Sequence, residues 1–560
     1  MATRQLAWFR SVIYWWYHQS ILRRATIATH GRYGRIVDRI EPNAVVRAPP
    51  NARVDVALRR SWRDEPMVTT ASALALIVGT LAVFAGVGIW SSRGRVDSAE
   101  SLIAARDSTT EPRLTATLVA SVMGVWILLS APEAGAVFGV TAAVGYAVGE
   151  ALPMLAFSKV GPRVRTVMPE GHSLTEYAYA RYGRTMYAYV LCVSALYMLV
   201  FLSAELTGIA LAFSFIADVP QWQTATLVGG AVLGYAGYGG LRASIVTDTI
   251  QAALVLPLLI AVGVATVAVL GGPAAVYAGV ETASPALLDP TAADGLAFGV
   301  ALSLAIFGAE LVNQTWWQRV YAGADGETVE RSFRNATLLN GAIVFFAALL
   351  GVAAAGTASV ENPAVAVFAL VSTSFPTPAV VGVGLLALLL VTSSADSLCT
   401  ALSSLVTVDV PRLLDDPSDE TLTLGARVVT VAVMVVAVYI SQDAQSVLAL
   451  FLFADLLGVA VAFPLVYGLF SPRLTGTGAL ASSVVSLAVG TAFFPFPLGI
   501  DTWLRSLPMV GPVLPAADAL YLSAFAGAAG VSVTLTLVFA TLPSERYDFD
   551  RLSRAVNRLE

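Results

Sequence analysis

Apolar residues run along this chain in blocks of about twenty, the length a helix needs to cross a bilayer core, separated by short polar stretches. The pattern predicts thirteen spans, at 69–90, 115–139, 140–158, 185–214, 222–238, 244–270, 295–318, 336–356, 379–407, 424–441, 446–470, 476–496 and 516–541. No stretch shows the strict alternation of a half-buried strand. A shorter apolar piece at 363–374, closed by Pro376 and Pro378, predicts a helix lying outside the membrane. The expected fold class is therefore an all-α, polytopic membrane protein.

Composition agrees and removes the main alternative. The 560 residues are 57% hydrophobic and 13% charged, where soluble domains carry about a quarter charged residues. One large soluble core does not account for this, because cores stop growing near roughly 250–300 residues and still need a charged shell. Cys192 and Cys399 both lie inside apolar runs, and His18, His30 and His172 are scattered. Neither a disulfide framework nor a zinc site is indicated. Lys159 is the sole lysine; every other basic residue is arginine.

Charge then sets the expected orientation, because short cytoplasmic loops collect basic residues. Alternate loops hold Arg93, Arg95, Arg106 and Arg113, then Lys159, Arg163, Arg165, Arg181 and Arg184, then Arg242, then Arg319, Arg331 and Arg334. Arg412, Arg473 and the tail residues Arg546, Arg551, Arg554 and Arg558 continue the series, with Arg505 the exception. This places the C-terminus inside and the start of the first span outside, in a plasma membrane. Residues 1–66 do not follow the pattern, being Arg-rich with the cluster Tyr14-Trp15-Trp16-Tyr17. They read either as a surface amphipathic segment or, as expected here, as residues preceding a true start at Met67.

The candidate chemistry lies inside the spans. The second span carries Gly124, Pro132 and Gly135, with Glu133 after the proline. Such breaks free backbone carbonyls, which are tolerable at depth only beside protein or a cavity, and transporters use them to bind ions and substrates. A simple kink is the alternative. In the ninth span, VTSSADSLCTALSS places Ser393, Ser394, Ser397, Thr400, Ser403 and Ser404 around Asp396. Oxygen ligands of this kind suit a hard cation, although serines in membrane helices also bond their own backbone. YGGLRASIVTDTIQ (238–251) brings Asp248 into the sixth span, and NQTWWQRVYAG (313–323) groups amide, indole and guanidinium groups that might otherwise serve as interfacial anchors. No phosphate-binding loop, charge ring or nucleophile–base pair appears. The 19-residue tail is too short for a signalling domain, which weighs against a receptor built on a transporter fold. Channel, enzyme and nucleic-acid-binding readings are not expected.

Taken in order, four segments resemble the sodium:solute symporter family, which includes the sodium/proline, sodium/galactose and sodium/pantothenate carriers. They are ASVMGVWILLSAP (120–132), YGGLRASIVTDTIQ, NQTWWQRVYAG, and SSADS followed by ALSSLVTVDVPR (393–412); the resemblance covers about 68–475. It implies a leucine-transporter-like core of two inverted five-helix repeats, at 115–270 and 295–470. A first helix and loop (67–114) would precede it, with two accessory helices (471–541) and a cytoplasmic tail (542–560) following. It also implies a co-transported sodium ion held by carbonyls of Ala120, Met123 and Leu390 and hydroxyls of Ser393 and Ser394, with Asp248 on the exit path. The sodium/proline carriers have an aspartate where this chain has Val122, and sugar carriers have polar groups where it has Ile306 and Ala309. A sugar is thereby disfavoured.

The substrate-binding candidates, where the broken helices of the two repeats meet, are Trp126, Glu133, Phe307, Glu310 and Gln314. Two carboxylates suit an amine, a urea-like solute or a zwitterion, and buried carboxylates leave proton coupling open. Glu150, Glu205 and Asp455 also fall inside spans, and the sequence assigns them no role. The expected protein is a sodium-coupled importer of a small organic solute, monomeric or weakly homo-oligomeric.

Overall fold

The computed structural model describes residues 67–92, 105–358, 360–409, 419–442, 444–495, 505–509, 511–513, 520–543 and 545–556. The segment 1–66, Arg93, Arg95, Arg412, Arg558 and the side chain of Arg242 lie outside the described residues. Among those described, the chain is helical throughout; the only pairing of extended backbone is an isolated bridge between Thr109 and Gly323.

The helices are α1 (Thr70–Ser92), α2 (Glu111–Val122), α3 (Ser130–Val167), α4 (Leu174–Tyr182), α5 (Arg184–Ala217) and α6 (Gln221–Val269). Then follow α7 (Pro273–Ala283), α8 (Ala293–Leu311), α9 (Gln314–Ala322), α10 (Gly326–Thr357), α11 (Ala366–Ser374) and α12 (Thr377–Asp409). The last five are α13 (Asp419–Ser441), α14 (Val447–Phe470), α15 (Gly476–Phe493), α16 (Leu520–Thr541) and α17 (Phe549–Ala555).

Eleven of these are long and apolar enough to cross a membrane, and they coincide with eleven of the thirteen expected spans. The other two are special cases. The span expected at 115–139 is not continuous: α2 stops at Val122, a short 3₁₀ turn covers Val125–Leu128, and helix resumes at Ser130. The break lies upstream of Pro132, which sits in the first turn of α3, where its missing N–H costs no helical bond. The span expected at 222–238 is the first half of α6. Tyr235 and Gln251 both hydrogen-bond Thr392, yet sixteen residues of straight helix would set them about 24 Å apart. The α6 run therefore bends sharply between them.

Local signals mark the other boundaries. Gly139, at φ 77° and ψ −160°, separates the two passes within α3; that region is open essentially to glycine alone. Ser173, Asp325 and Ser446 cap α4, α10 and α14 by accepting the backbone N–H groups of Glu176, Thr328 and Ala449. The Thr328 N–H holds the Asp325 carboxyl below its ordinary range. The apolar piece at 363–374 is a short helix with its apolar face buried against the bundle.

Packing divides the molecule into closely fused and polar-lined contacts. A Cβ on Gly135 would lie 2.0 Å from the Ala348 carbonyl oxygen, and one on Gly351 would lie 1.9 Å from that of Pro132. Gly145 approaches Gly299 equally closely. The first pass of α3 thus meets α10, and the second pass meets α8, backbone to backbone. At the rim, Lys159 on α3 pairs with Glu330 on α10. Facing outward are Ile260, Val264, Phe346 and Val435, each more than 60% exposed, an apolar girdle that suits lipid and not water.

Filling the fused seam should be costly. Gly351→Val is expected to lower stability by about 1–3 kcal/mol through overpacking, measured as thermal unfolding of purified protein in detergent. Gly230→Ala, where the added Cβ meets nothing within 4 Å, should leave stability unchanged or slightly raised.

Candidate functional site

The break in the first core span is the centre of the site. Met123 (ψ 85°) and Gly124 (φ −84°, ψ −174°) leave the helical conformation, and the whole segment from Ala120 to Leu129 is buried. Amides and carbonyls freed at this depth need partners. The Val122 carbonyl takes the Gly124 N–H and the Trp126 indole N–H, both at 2.8 Å. The Ser393 hydroxyl donates to the Ala120 carbonyl at 3.0 Å. From α5, the Glu205 carboxylate accepts the Val125 N–H at 2.8 Å.

Across the break runs the hydroxyl face of α12, and the structure separates its serines into two kinds. Ser403 and Ser404 bond carbonyls of their own helix, Cys399 and Ala401. By contrast, Ser393, Ser394 and Ser397 reach outward. Ser393 also donates to Asp248 at 2.6 Å, Ser394 donates to Glu205 at 2.8 Å, and Ser397 accepts from Arg319 at 2.9 Å. The Leu390 carbonyl lies 3.3 Å from the Ser394 hydroxyl. Ala120, Leu390, Ser393 and Ser394 are therefore brought together, with Met123 at the end of α2 beside them.

Behind them is a buried ion pair. Asp248 accepts Arg319 at 2.8 Å and Thr117 at 2.7 Å, and both side chains of the pair are at most 1% exposed. Asp396, nearby, is held by hydroxyls alone: Ser244 at 2.8 Å, with Tyr235 and Thr247 at 3.1 Å. Trp316 and Trp317 are fully buried with Arg319. This stretch is therefore not an interfacial anchor; the ion pair draws α9 into the interior.

On the other side of the break lies an aromatic and acidic group. Trp126 stacks on Tyr146 at 5.5 Å, and its other face meets Phe451, which also packs on Phe201. The Tyr146 hydroxyl bonds Ser130 at 2.8 Å. Glu310 takes the Tyr197 hydroxyl at 3.2 Å and Asn313 at 2.8 Å. Glu150, bonded to Asn340 at 3.2 Å, and Asp455 on α14 lie within electrostatic reach of Glu310, with no basic side chain among them. All three are 4–5% exposed.

The remaining substrate candidates scatter. Glu133, half-buried, accepts Ser446 at the start of α14. Phe307 is packed among apolar neighbours. Gln314 accepts the Leu174 N–H at 2.9 Å and donates to Ser404, ten residues and about 15 Å of helix beyond Ser394. Tyr146, Tyr197 and Phe451 were not singled out from the sequence, because an aromatic inside an apolar run gives no signal beyond packing.

A profile of the sodium:solute symporter family matches residues 102–486. The chain belongs to the sodium:solute symporter family. Among family relatives, it is 26% identical over 357 residues to the spermidine transporter DUR31 of Candida albicans, an alignment spanning 62% of this chain and 65% of that protein. It is 24% identical over 222 residues to the urea active transporter of Saccharomyces cerevisiae, spanning 38% of this symporter-family chain and 30% of that one. The urea-proton symporter DUR3 of rice (Oryza sativa subsp. japonica) is 22% identical over 503 residues, 80% and 69% of the two chains. The chain thus spans less than two thirds of the first two relatives.

Two solved structures share the fold. A Na+-coupled sialic acid symporter in a substrate-bound, outward-open state superposes with a TM-score of 0.67 at 17% identity, over 85% of this chain and 98% of that one. Mhp1, a nucleobase-cation-symport-1 family transporter, gives 0.52 at 15% identity, over 81% and 98%. The architecture is the leucine-transporter-like one.

Removing one member of the buried pair leaves an uncompensated charge, worth about 3–5 kcal/mol. Arg319→Gln should therefore lose monodisperse protein or several degrees of thermal stability, and adding Asp248→Asn should restore much of it. Equal behaviour of the single and double variants in detergent unfolding would count against the pair.

Proposed function

We propose that this protein imports a small nitrogen-rich solute, an amine or a urea-like molecule, together with sodium. The observation that carries the reading is the contact between the Ser393 hydroxyl and the Ala120 carbonyl across the helix break. That geometry joins two of the oxygens expected of a sodium site, with Ser394, Leu390 and Met123 alongside. Sodium moving inward gains about 2.3 kcal/mol per charge at 100 mV, enough to drive uptake against a gradient. The repeats 115–270 and 295–470 would rock about the midplane, with Asp248 on the inward exit path.

The solute class is supported by the cluster of Glu310, Glu150 and Asp455 beside Trp126 and Tyr146. Carboxylates without basic partners among the described residues favour a protonated amine. The Candida spermidine transporter and the yeast urea transporter point the same way. Proton coupling is a second reading, favoured by the rice relative's description as a urea-proton symporter.

Uptake into proteoliposomes tests both. Labelled amines, urea, amino acids and carboxylates are screened with an inward sodium gradient, a proton gradient, or neither. Sodium-driven uptake is expected, and Ser393→Ala/Ser394→Ala should weaken apparent sodium affinity by about tenfold or more, each tenfold being about 1.4 kcal/mol. Uptake driven equally by protons and untouched by the double substitution would overturn the sodium assignment. Separately, Glu310→Gln and Asp455→Asn should raise KM for a cationic amine by about tenfold, a cost of order 1.4 kcal/mol, while barely changing that for neutral urea.

A further inference from the structure

Glu205 stands on α5, a helix that the family resemblance does not connect with the ion, and its side chain is fully buried. Its Oε2 accepts two hydrogen bonds of 2.8 Å, from the Val125 N–H and the Ser394 hydroxyl. Among the described residues no donor meets its Oε1 at hydrogen-bond geometry, although the Trp126 backbone N–H also faces the carboxylate. That oxygen points at Gly124, where an added Cβ would lie 1.9 Å away; a glycine at the break is what lets the carboxylate in.

The plain explanation is a cap: an acidic side chain facing the amino end of a helical turn satisfies orphan N–H groups. It accounts for one oxygen. A neutral side chain would cap as well without placing a charge in the membrane interior, where a carboxylate is costly unless paired. Among the described residues no basic side chain pairs with Glu205, whereas the other acid touching these serines, Asp248, is matched by Arg319. The uncompensated carboxylate sits on Ser394 itself, next to the carbonyl-lined end of α2. A partner is missing, and its chemistry is that of a small monovalent cation.

We propose that Glu205 is the charge-bearing ligand of the coupling cation, its free oxygen completing the oxygen set formed by the Ala120 and Leu390 carbonyls and the Ser393 and Ser394 hydroxyls. The loaded break is then neutral and the unloaded one carries a single negative charge. Sodium neutralises it, so filling the oxygen set and removing the buried charge are one step. This rests on the reading of the protein as a cation-coupled transporter.

Thermal unfolding of the purified full chain reads cation binding without transport, because a ligand bound only by the folded state raises stability as its concentration passes Kd. Sodium is titrated against potassium at constant ionic strength and fixed pH. Wild type should gain Tm with sodium and not with potassium. Glu205→Gln, which keeps acceptors for Val125 and Ser394, should lose that gain, and Glu205→Asp should keep it at higher cation concentration. Gly124→Ala, which displaces the carboxylate without removing charge, should lose it too and serves where Glu205→Gln does not fold. A Glu205→Gln protein with the wild-type sodium response would make Glu205 a cap and overturn the proposal. Should wild type show no sodium response and no gradient-driven uptake, the transporter reading itself falls; normal wild-type coupling with an unaltered Glu205→Gln condemns only the Glu205 assignment.

Discussion

A peptide group in hydrocarbon has no water to bond, and this chain nevertheless breaks a membrane helix near its middle. Everything around the break follows from that constraint. Each amide or carbonyl released between Ala120 and Leu129 must find a donor or acceptor from another helix. The structure supplies them from α5 and α12, through Glu205 and Ser393, and from the Trp126 indole of the broken segment itself. The Glu205 and Ser393 bonds each tie the broken segment to a different helix, so the break holds only while α5 and α12 stay packed against it.

The Asp248–Arg319 pair plays the complementary part. It fixes α6, α9 and α12 against α2 through Thr117, Ser393 and Ser397. A buried pair of this kind adds little net stability over apolar packing, yet it penalises any arrangement that separates its members. It therefore sets the register of the hydroxyl face opposite the break.

Much of this was legible in the sequence, for definite reasons. Span positions follow from length and hydropathy, so eleven of them fell into place. The Gly139 boundary was readable because two spans met there with no polar loop. The existence of a break was readable from Gly124 and Pro132, but its position was not: proline is innocuous in a first turn, and the chain opens at Met123–Gly124 instead. Periodicity does not say which serines of a crowded helix look outward, so Ser403 and Ser394 read alike. Nor does it reveal that Glu205, some eighty residues from Val125, reaches the break; tertiary packing alone decides that. Trp316 and Trp317 had the composition of interfacial anchors, and a charge pair further along their own helix buried them.

The glycine seam gives the molecule a mechanical grain. Where Gly135 meets Ala348 and Gly351 meets Pro132, two backbones share one surface, and prying them apart forfeits an entire packed interface at once. Along the hydroxyl seam between the break and α12, parting breaks a few side-chain bonds, each worth only about 1 kcal/mol net. Like timber, the fold splits along one direction and resists across it. The plane of easy cleavage is the one that passes through the broken segment and the hydroxyl face of α12, so opening the molecule and uncovering those buried oxygens are the same event.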